Sequence, residues 1–449
     1  MSKPLRFIVD VDAGWQVTIL DADEQPLLEP RQMCQIDDGR GGRFPQPPQD
    51  ALPASGDSHY PLCVAGASAP SEIWQVYDRI AKRNPVGNAI LTFGRYLFDT
   101  LLGREAWKMI EERAKPAPLI ELALRWSHTD TYLHRLNWEM MCCKQPDPHG
   151  FLAGGHPKRV AITRIVAGTA HPARHLGSPP KILFVVGASA NDKDIRPGLE
   201  LMGLLERLSK NRRTVHSEIL LDATPSKLRE KMDRFCPDIV HFVCHGHFDA
   251  QGSYLKMQKD DSGADDRRYA MHLLEDLKVG KVLPPIVVLS ACYSAVSQGV
   301  HLMGPLAAQL VEGGVPVVVG MGGRVSDLAC RLFTRRFGEA LLLGEPLVTA
   351  TAEGRIAALY GGQLAQQSVD WAFPTLFLSA KVKPDYVPSQ LQAGVKDRAV
   401  VIDERLTYYG VEVSPVFCDR YEFFDVYHRL LNPGDKASAL AIYVEKGDP

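Results

Sequence analysis

Apolar and polar positions alternate differently along successive stretches of the chain. Near the N-terminus, LRFIVDVDAGWQVTILDADE reads as two strand-like runs around Ala13 and Gly14, which predicts a β-hairpin opening a small sheet. Residues 36–60 lose the pattern to Gly, Pro and Asp, and an extended linker is expected there. Between about 71 and 114, apolar residues return at helical spacing in IWQVYDRIAKR and ILTFGRYLFDTLLGREAWKMIEERA. LIELALRW then reads as a strand and LHRLNWEMM as a compact aromatic and acidic segment. GFLAGG and KRVAITRIV follow as a turn and a short strand.

From Lys181 the pattern becomes a regular alternation of strand and helix. KILFVVGA, HSEILLD, DIVHFVC, PPIVVLSA and VPVVVGM predict strands. PGLELMGLLERLSK, TPSKLREKMDRF, GPLAAQLVEGG and SDLACRLFTRRFGEALLLG predict helices, with Thr224 placed to cap the second and Pro225 in its first turn. DIVHFVC and PPIVVLSA are apolar almost throughout, as strands covered on both faces should be. The expected fold class is α/β: a doubly wound, mostly parallel sheet flanked by helices, preceded by an N-terminal α+β region. The charged stretch 249–270 reads as a solvated surface loop or, alternatively, a lid or specificity loop beside His245.

Beyond WAFPTLFL, a polar linker leads to a tail with one helix, DRYEFFDVYHRLL, and one strand, ALAIYV. Four regions follow from these shifts. Residues 1–70 form a β-rich region with its Gly/Pro linker, and 71–180 a stretch of helices and strands. Residues 181–380 form the α/β core, and 381–449 the linker and tail.

Composition narrows the classes of partner. The 449 residues are 45% hydrophobic and 23% charged, as in ordinary globular proteins. A net charge of −2 leaves no basic excess, so neither nucleic acid nor a membrane surface is expected as a partner. The start, MSKPLRFIVDVDAGW, lacks the layout of a signal peptide, and no apolar run has the length of a membrane span; a cytoplasmic location is expected. The nine cysteines are scattered and include no C-x-x-C pair, which argues against a disulfide framework or a zinc ribbon.

Open α/β sheets bind ligands beyond the carboxyl ends of their strands. Here DIVHFVC delivers His245 and Gly246, and PPIVVLSA delivers Cys292. If the two strands are neighbours, the imidazole can take the thiol proton and return it to a leaving amine. The backbone N–H groups of Gly246 and Cys292 would then lie where an oxyanion forms. Taken singly, a cysteine at a strand end is usually a core residue, and His-Gly after a strand is usually a turn. Their pairing on two strands of one unit is what points to chemistry.

A metal cluster in HFVCHGHF is not expected. Alternation sends His241 and Cys244 to opposite faces, and no second ligand group with zinc spacing occurs elsewhere. His241 reads instead as a hydrogen-bonded core histidine. Gly320, Gly322 and Gly323 lack the third, offset glycine of a dinucleotide fingerprint and are read as a pocket floor. With no G-x-x-x-x-G-K-S/T either, no cofactor is expected in this chain.

HFVCHGHF followed by VVLSACYSA resembles the histidine and cysteine motifs of CHAT domains, caspase-fold proteases related to separases. LNWEMM, with the GFLA and VAITRIV that follow, resembles the same family. So does GGVPVVVGMGGRVSDLACRLFTRRFGEALLLGEPLVTATAEGRIAAL, and Trp371 and Pro374 match its closing segment. The similarity spans roughly 70–380. It implies a caspase-like fold and a cysteine endopeptidase acting on a specific protein substrate. Cys292 would be the nucleophile, His245 its base, and the amides of Gly246 and Cys292 the oxyanion donors. Gly322, Gly323 and Asp327 would help wall the primary specificity pocket. The family often has an acidic residue directly after the cysteine, where this chain has Tyr293. A preference for a basic residue would then need its carboxylate from Asp249 or Asp327.

In the tail, VFCDRYEFFDVYHRLL followed by ALAIYVEKGDP resembles the opening of a STAND-type signalling ATPase. That resemblance implies a sensor NTPase module in cis or in trans, with ATP bound there rather than in this chain. The protein would then be the effector of a bacterial defence or cell-death system. Two other functions fit the same residues: a catalytically inert caspase-fold adaptor and a cysteine hydrolase of small amides.

Overall fold

The computed structural model describes residues 3–37, 43–46, 76, 77, 80, 89–143, 150–154, 158–187, 204, 215–262, 264–280, 282–295, 304–323, 327–361 and 368–389. The expected N-terminal hairpin forms from β1 (Leu5–Val11) and β2 (Gln16–Leu20), which pair antiparallel. It does not found a sheet of its own. β1 also pairs in parallel with β6 (Leu119–Trp126), which draws the hairpin, with the short β3 (Arg31–Gln32), into the main sheet. Within the expected linker, β4 (Cys34–Asp37) pairs with β5 (Arg43–Gln46); the remainder of that segment lies outside the described residues.

The main sheet has 11 strands in the order β3-β2-β1-β6-β7-β16-β15-β14-β10-β8-β9. Its later members are β7 (Arg159–Val166), β8 (Lys181–Val186), β9 (His216–Leu220), β10 (Ile239–Val243), β14 (Ile286–Ser290), β15 (Val317–Met321) and β16 (Pro374–Ser379). β1, β6, β7 and β16 run parallel to one another, and β15, β14, β10, β8 and β9 form a second parallel block. The blocks meet antiparallel at β15 and β16. The sheet is therefore mostly parallel and flanked by helices; besides the antiparallel β1–β2 and β2–β3 pairs at its edge it has one internal reversal, which the apolar pattern does not reveal.

The strands next to the reversal are buried on both faces, as their unbroken apolar runs require. Ile286 and Val288 of β14 join a core that includes Phe333, Phe337 and Leu341 of α7 (Asp327–Leu342). Val287 and Leu289 point the other way, into a core with Leu306 and Leu310 of α6 (Leu306–Glu312). α4 (Pro225–Phe235) starts where its cap predicts: the Thr224 side chain accepts from the Lys227 N–H, and Pro225 occupies the first turn. Most of the helix expected at 197–210 and all of the C-terminal helix and strand lie outside the described residues.

Two buried ion pairs tie the N-terminal half together, and their arginines also reach β16 and the residues just after it. Arg6 binds Glu121 through two hydrogen bonds of 2.8 and 3.0 Å and also donates to the Val382 carbonyl, while Thr163 donates to the same carboxylate. Arg164 lies 3.1 Å from Glu139, both fully buried, and its guanidinium sits over the rings of Trp126 and Phe377. The LNWEMM segment and β7 are thus one packed unit. Among the described residues, no helix is long and apolar enough to cross a membrane.

Candidate active site

β10 and β14 are neighbours and parallel, with Val243 opposite Ser290. His245 and Cys292 each stand two residues further along, so they leave the sheet side by side at its carboxyl edge. Both are partly buried. The contact between the two strand ends is made by Gly246. A methyl group there would overlap the carbonyl oxygen of Cys292 and come within 3.0 Å of its nitrogen. Only a residue without Cβ lets the backbones approach this closely.

His245 is held from the other side as well. The segment 249–270 is more than a surface loop. It folds, with the three residues before it, into β11 (Gly246–Asp249), β12 (Gly252–Gln258) and β13 (Asp265–Arg268), an antiparallel sheet of three strands. The Lys256 N–H donates to the His245 carbonyl at 2.9 Å. That bond makes Gly246 and Leu255 a non-hydrogen-bonded pair and turns the Gly246 N–H away from β12.

Directly after the cysteine the chain makes a strained turn. Tyr293 has φ of 61°, a left-handed conformation that a non-glycine residue adopts at a cost of order 1 kcal/mol. Three hydrogen bonds to the end of β15 fix the turn. Tyr293 N–H donates to Gly323 O (3.1 Å), Ala295 N–H to Met321 O (3.0 Å), and Met321 N–H to the Ser294 hydroxyl (2.8 Å). Sequence reasoning passed over Ser294, because a serine beside a cysteine has no periodic signal.

The remaining predicted residues fall in different places. Gly322 and Gly323 end β15 in a packed turn: a methyl on the first would collide with Asn137 Oδ1, and on the second with the Phe373 ring at 2.7 Å. Asn137, from the LNWEMM segment, is thus brought to the site's margin. Asp249 lies on β11, where it accepts from Tyr269 (2.6 Å) and Arg267 (2.8 Å). Burial works to raise its pKa, but the Tyr269 hydroxyl, the Gln251 amide and Arg267 together carry it below the usual carboxylate value. Its charge is already matched. Asp327 opens α7.

The neighbouring thiol is chemically different. Cys244 is buried, and burial pushes its pKa up to about 12. His241 is buried too, its Nε2 2.8 Å from the Ser290 hydroxyl and its ring against Phe184, the core role expected of it. His247 stacks on Tyr254. Phe248, which sequence reasoning did not single out, touches Tyr293 edge to face.

Two adjacent parallel strands that end in a histidine and a cysteine, bridged by a glycine backbone, define a class of α/β protein with an imidazole and a thiol at one sheet edge. Residues 92–379 match the CHAT domain, well over half of the sequence, and the chain belongs to the CHAT family. A comparison with curated protein sequences gives no match. Among solved structures, the chain is similar to the complex of Porphyromonas gingivalis RgpB pro- and mature domains. That likeness has 12% identity and a TM-score of 0.41, covering 68% of this chain and 71% of that one. It is also similar to the Saccharomyces cerevisiae separase–securin complex, at 14% identity and a TM-score of 0.35, over 68% of this chain and 20% of that one. A secreted C11 cysteine protease from Bacteroides thetaiotaomicron is similar at 15% identity and a TM-score of 0.29, over 42% and 63%.

Proposed function

We propose that the chain is a caspase-like cysteine endopeptidase with His245 and Cys292 as its dyad. The observation that carries this reading is the seating of Gly246 against the Cys292 backbone, at the ends of two strands in register. In this reading His245 removes the thiol proton, Cys292 attacks the scissile carbonyl, and the Gly246 and Cys292 amides receive the oxyanion. His245 then protonates the leaving amine, and water, activated by the same imidazole, releases the acid. The substrate is a specific protein. Gly322, Gly323 and Asp327 wall its specificity pocket, next to Tyr293. The resemblance of the tail to a STAND-type ATPase supports a sensor NTPase as the gate, in cis or in trans, and a cytoplasmic role as effector of bacterial defence or cell death.

The first test needs no substrate. Alkylation of Cys292 by iodoacetamide is followed by peptide mass mapping from pH 5 to 10, in the wild type and in His245→Ala. An unperturbed thiol titrates near pH ~8.5. Fast labelling well below that, lost in the variant, is the expected result; slow labelling indifferent to His245 refutes an assembled dyad. Cleavage of a protein then separates the peptidase from an inert adaptor and from a small-amide hydrolase. For the gate, a G-x-x-x-x-G-K-S/T loop encoded downstream in the same or the adjacent gene is expected, and its absence from both counts against a sensor NTPase.

A further inference from the structure

Phe248 is 42% exposed, although it stands on the face of β11 that otherwise turns inward. It shares that face with Gly246, whose cross-strand partner Leu255 is fully buried. Its ring meets that of Tyr293 edge to face, with centroids 5.6 Å apart and planes at 80°. Tyr293 is the direct neighbour of Cys292, and Gly246, two residues before Phe248, lies against the Cys292 backbone. Two independent contacts therefore place this ring pair beside the nucleophile. The left-handed φ of Tyr293 and its bond to Gly323 fix where the second ring begins.

The nearby charges are directed elsewhere. Strand alternation puts His247 and Asp249 on the opposite face of β11 from Phe248. Asp249 is engaged by Arg267 and Tyr269, and Arg267 lies over the Tyr254 ring. Of the described residues placed around Cys292, His245 is ionisable, while Gly246, Phe248, Tyr293, Gly322 and Gly323 carry no carboxylate, amine or guanidinium. A charged substrate side chain seated between the two rings would lose hydration without gaining a counter-charge from either of them.

We infer that Phe248 and Tyr293 form an apolar subsite for a large aromatic or branched aliphatic side chain directly flanking the scissile bond, with Phe248 the specificity-determining residue. The inference rests on the peptidase reading above. One well-filled apolar subsite discriminates by roughly tenfold or more in kcat/KM.

The test digests a random-sequence peptide mixture with the wild type, Phe248→Ala and Phe248→Leu, reading cut positions by mass spectrometry. Alkylation of Cys292 is measured alongside. Leu, Ile, Met, Phe or Tyr should be enriched about tenfold at one position flanking the cut. That enrichment should vanish in Phe248→Ala and largely return in Phe248→Leu, with alkylation rates alike in all three. Enrichment of basic or acidic residues, or apolar enrichment that survives Phe248→Ala, overturns the inference and leaves the peptidase reading intact. Absence of cleavage alongside His245-dependent alkylation also overturns the subsite, because apolar-flanked bonds are present in the mixture. Absence of both cleavage and His245-dependent alkylation overturns the subsite and the dyad together.

Discussion

A hydrogen atom in place of a side chain on the α-carbon of Gly246 is what lets two strand ends close on each other. Gly246→Ala would drive a methyl into the Cys292 carbonyl, and the only relief is separation of the two backbones. We expect kcat/KM to fall by at least about 100-fold, the usual effect of losing one oxyanion donor, while the fold's circular dichroism persists. Retained activity would mean that Gly246 plays no part in the site. At this scale the sequence was informative wherever chemistry coincided with a strand end: His245, Gly246 and Cys292 could be named from apolar runs followed by reactive residues. Phe248 could not. Its signal, an aromatic two residues beyond the glycine on the same strand face, becomes visible only once 246–249 is known to be a strand. Cys244 and Cys292 show the converse. Both are cysteines at strand ends, and only burial, which raises Cys244 to about 12, tells the inert thiol from the candidate nucleophile.

Among the elements, the three-stranded sheet of β11, β12 and β13 departs most from expectation. Its charged residues read as solvated loop because its outer strands, β11 and β13, are largely exposed and have little apolar alternation. What anchors it is β12, whose Leu255 and Met257 are buried in the core, with cross-strand pairs at its surface: Lys256 to Asp265, and Asp249 to both Arg267 and Tyr269. Since β12 also binds the His245 carbonyl, the sheet is a clamp on the histidine's backbone. Asp249→Asn keeps the shape and removes the charge. Partly exposed pairs of this kind contribute about 1 kcal/mol or less, so the chain should remain folded. If Asp249 serves the clamp, the substitution should lower kcat a few-fold and leave cleavage-site preference unchanged; a changed preference with unchanged kcat would return Asp249 to the specificity pocket. The pH sense follows from its depressed pKa. The stabilising contribution is complete above the unfolded carboxyl value of about 3.9 and is lost as pH falls through the lower folded value.

Over the whole molecule, the reversal at β15 and β16 decides how the halves depend on each other. β16 comes last among the described strands, yet it lies parallel to β7, inside the block built by the N-terminal half. No local pattern announces this, because PTLFLS would be equally apolar on either side of the junction. His134 packs on the N-terminal block that β16 joins, its ring 5.6 Å from Trp126 of β6 and 6.0 Å from Phe377 of β16. Burial first, and the Arg164 charge second, hold its pKa well below the usual histidine value. The folded chain thus keeps His134 neutral where the unfolded chain would protonate it near pH ~6.5. With more protons bound in the unfolded state, this contribution is complete above that pH. It falls away below it by up to about 1.4 kcal/mol per pH unit, until the folded value is reached. His134→Phe preserves an aromatic ring between Trp126 and Phe377 and removes the proton. Urea unfolding of both proteins from pH 7.5 to 4.5 should show the variant losing less stability with acid, by about one proton's slope. His216, whose pKa is also lowered, contributes equally to both curves and cancels in the difference. Parallel curves would mean that His134 is protonated in the folded state, and that the packing of β16 onto the N-terminal block admits a charge its burial argues against.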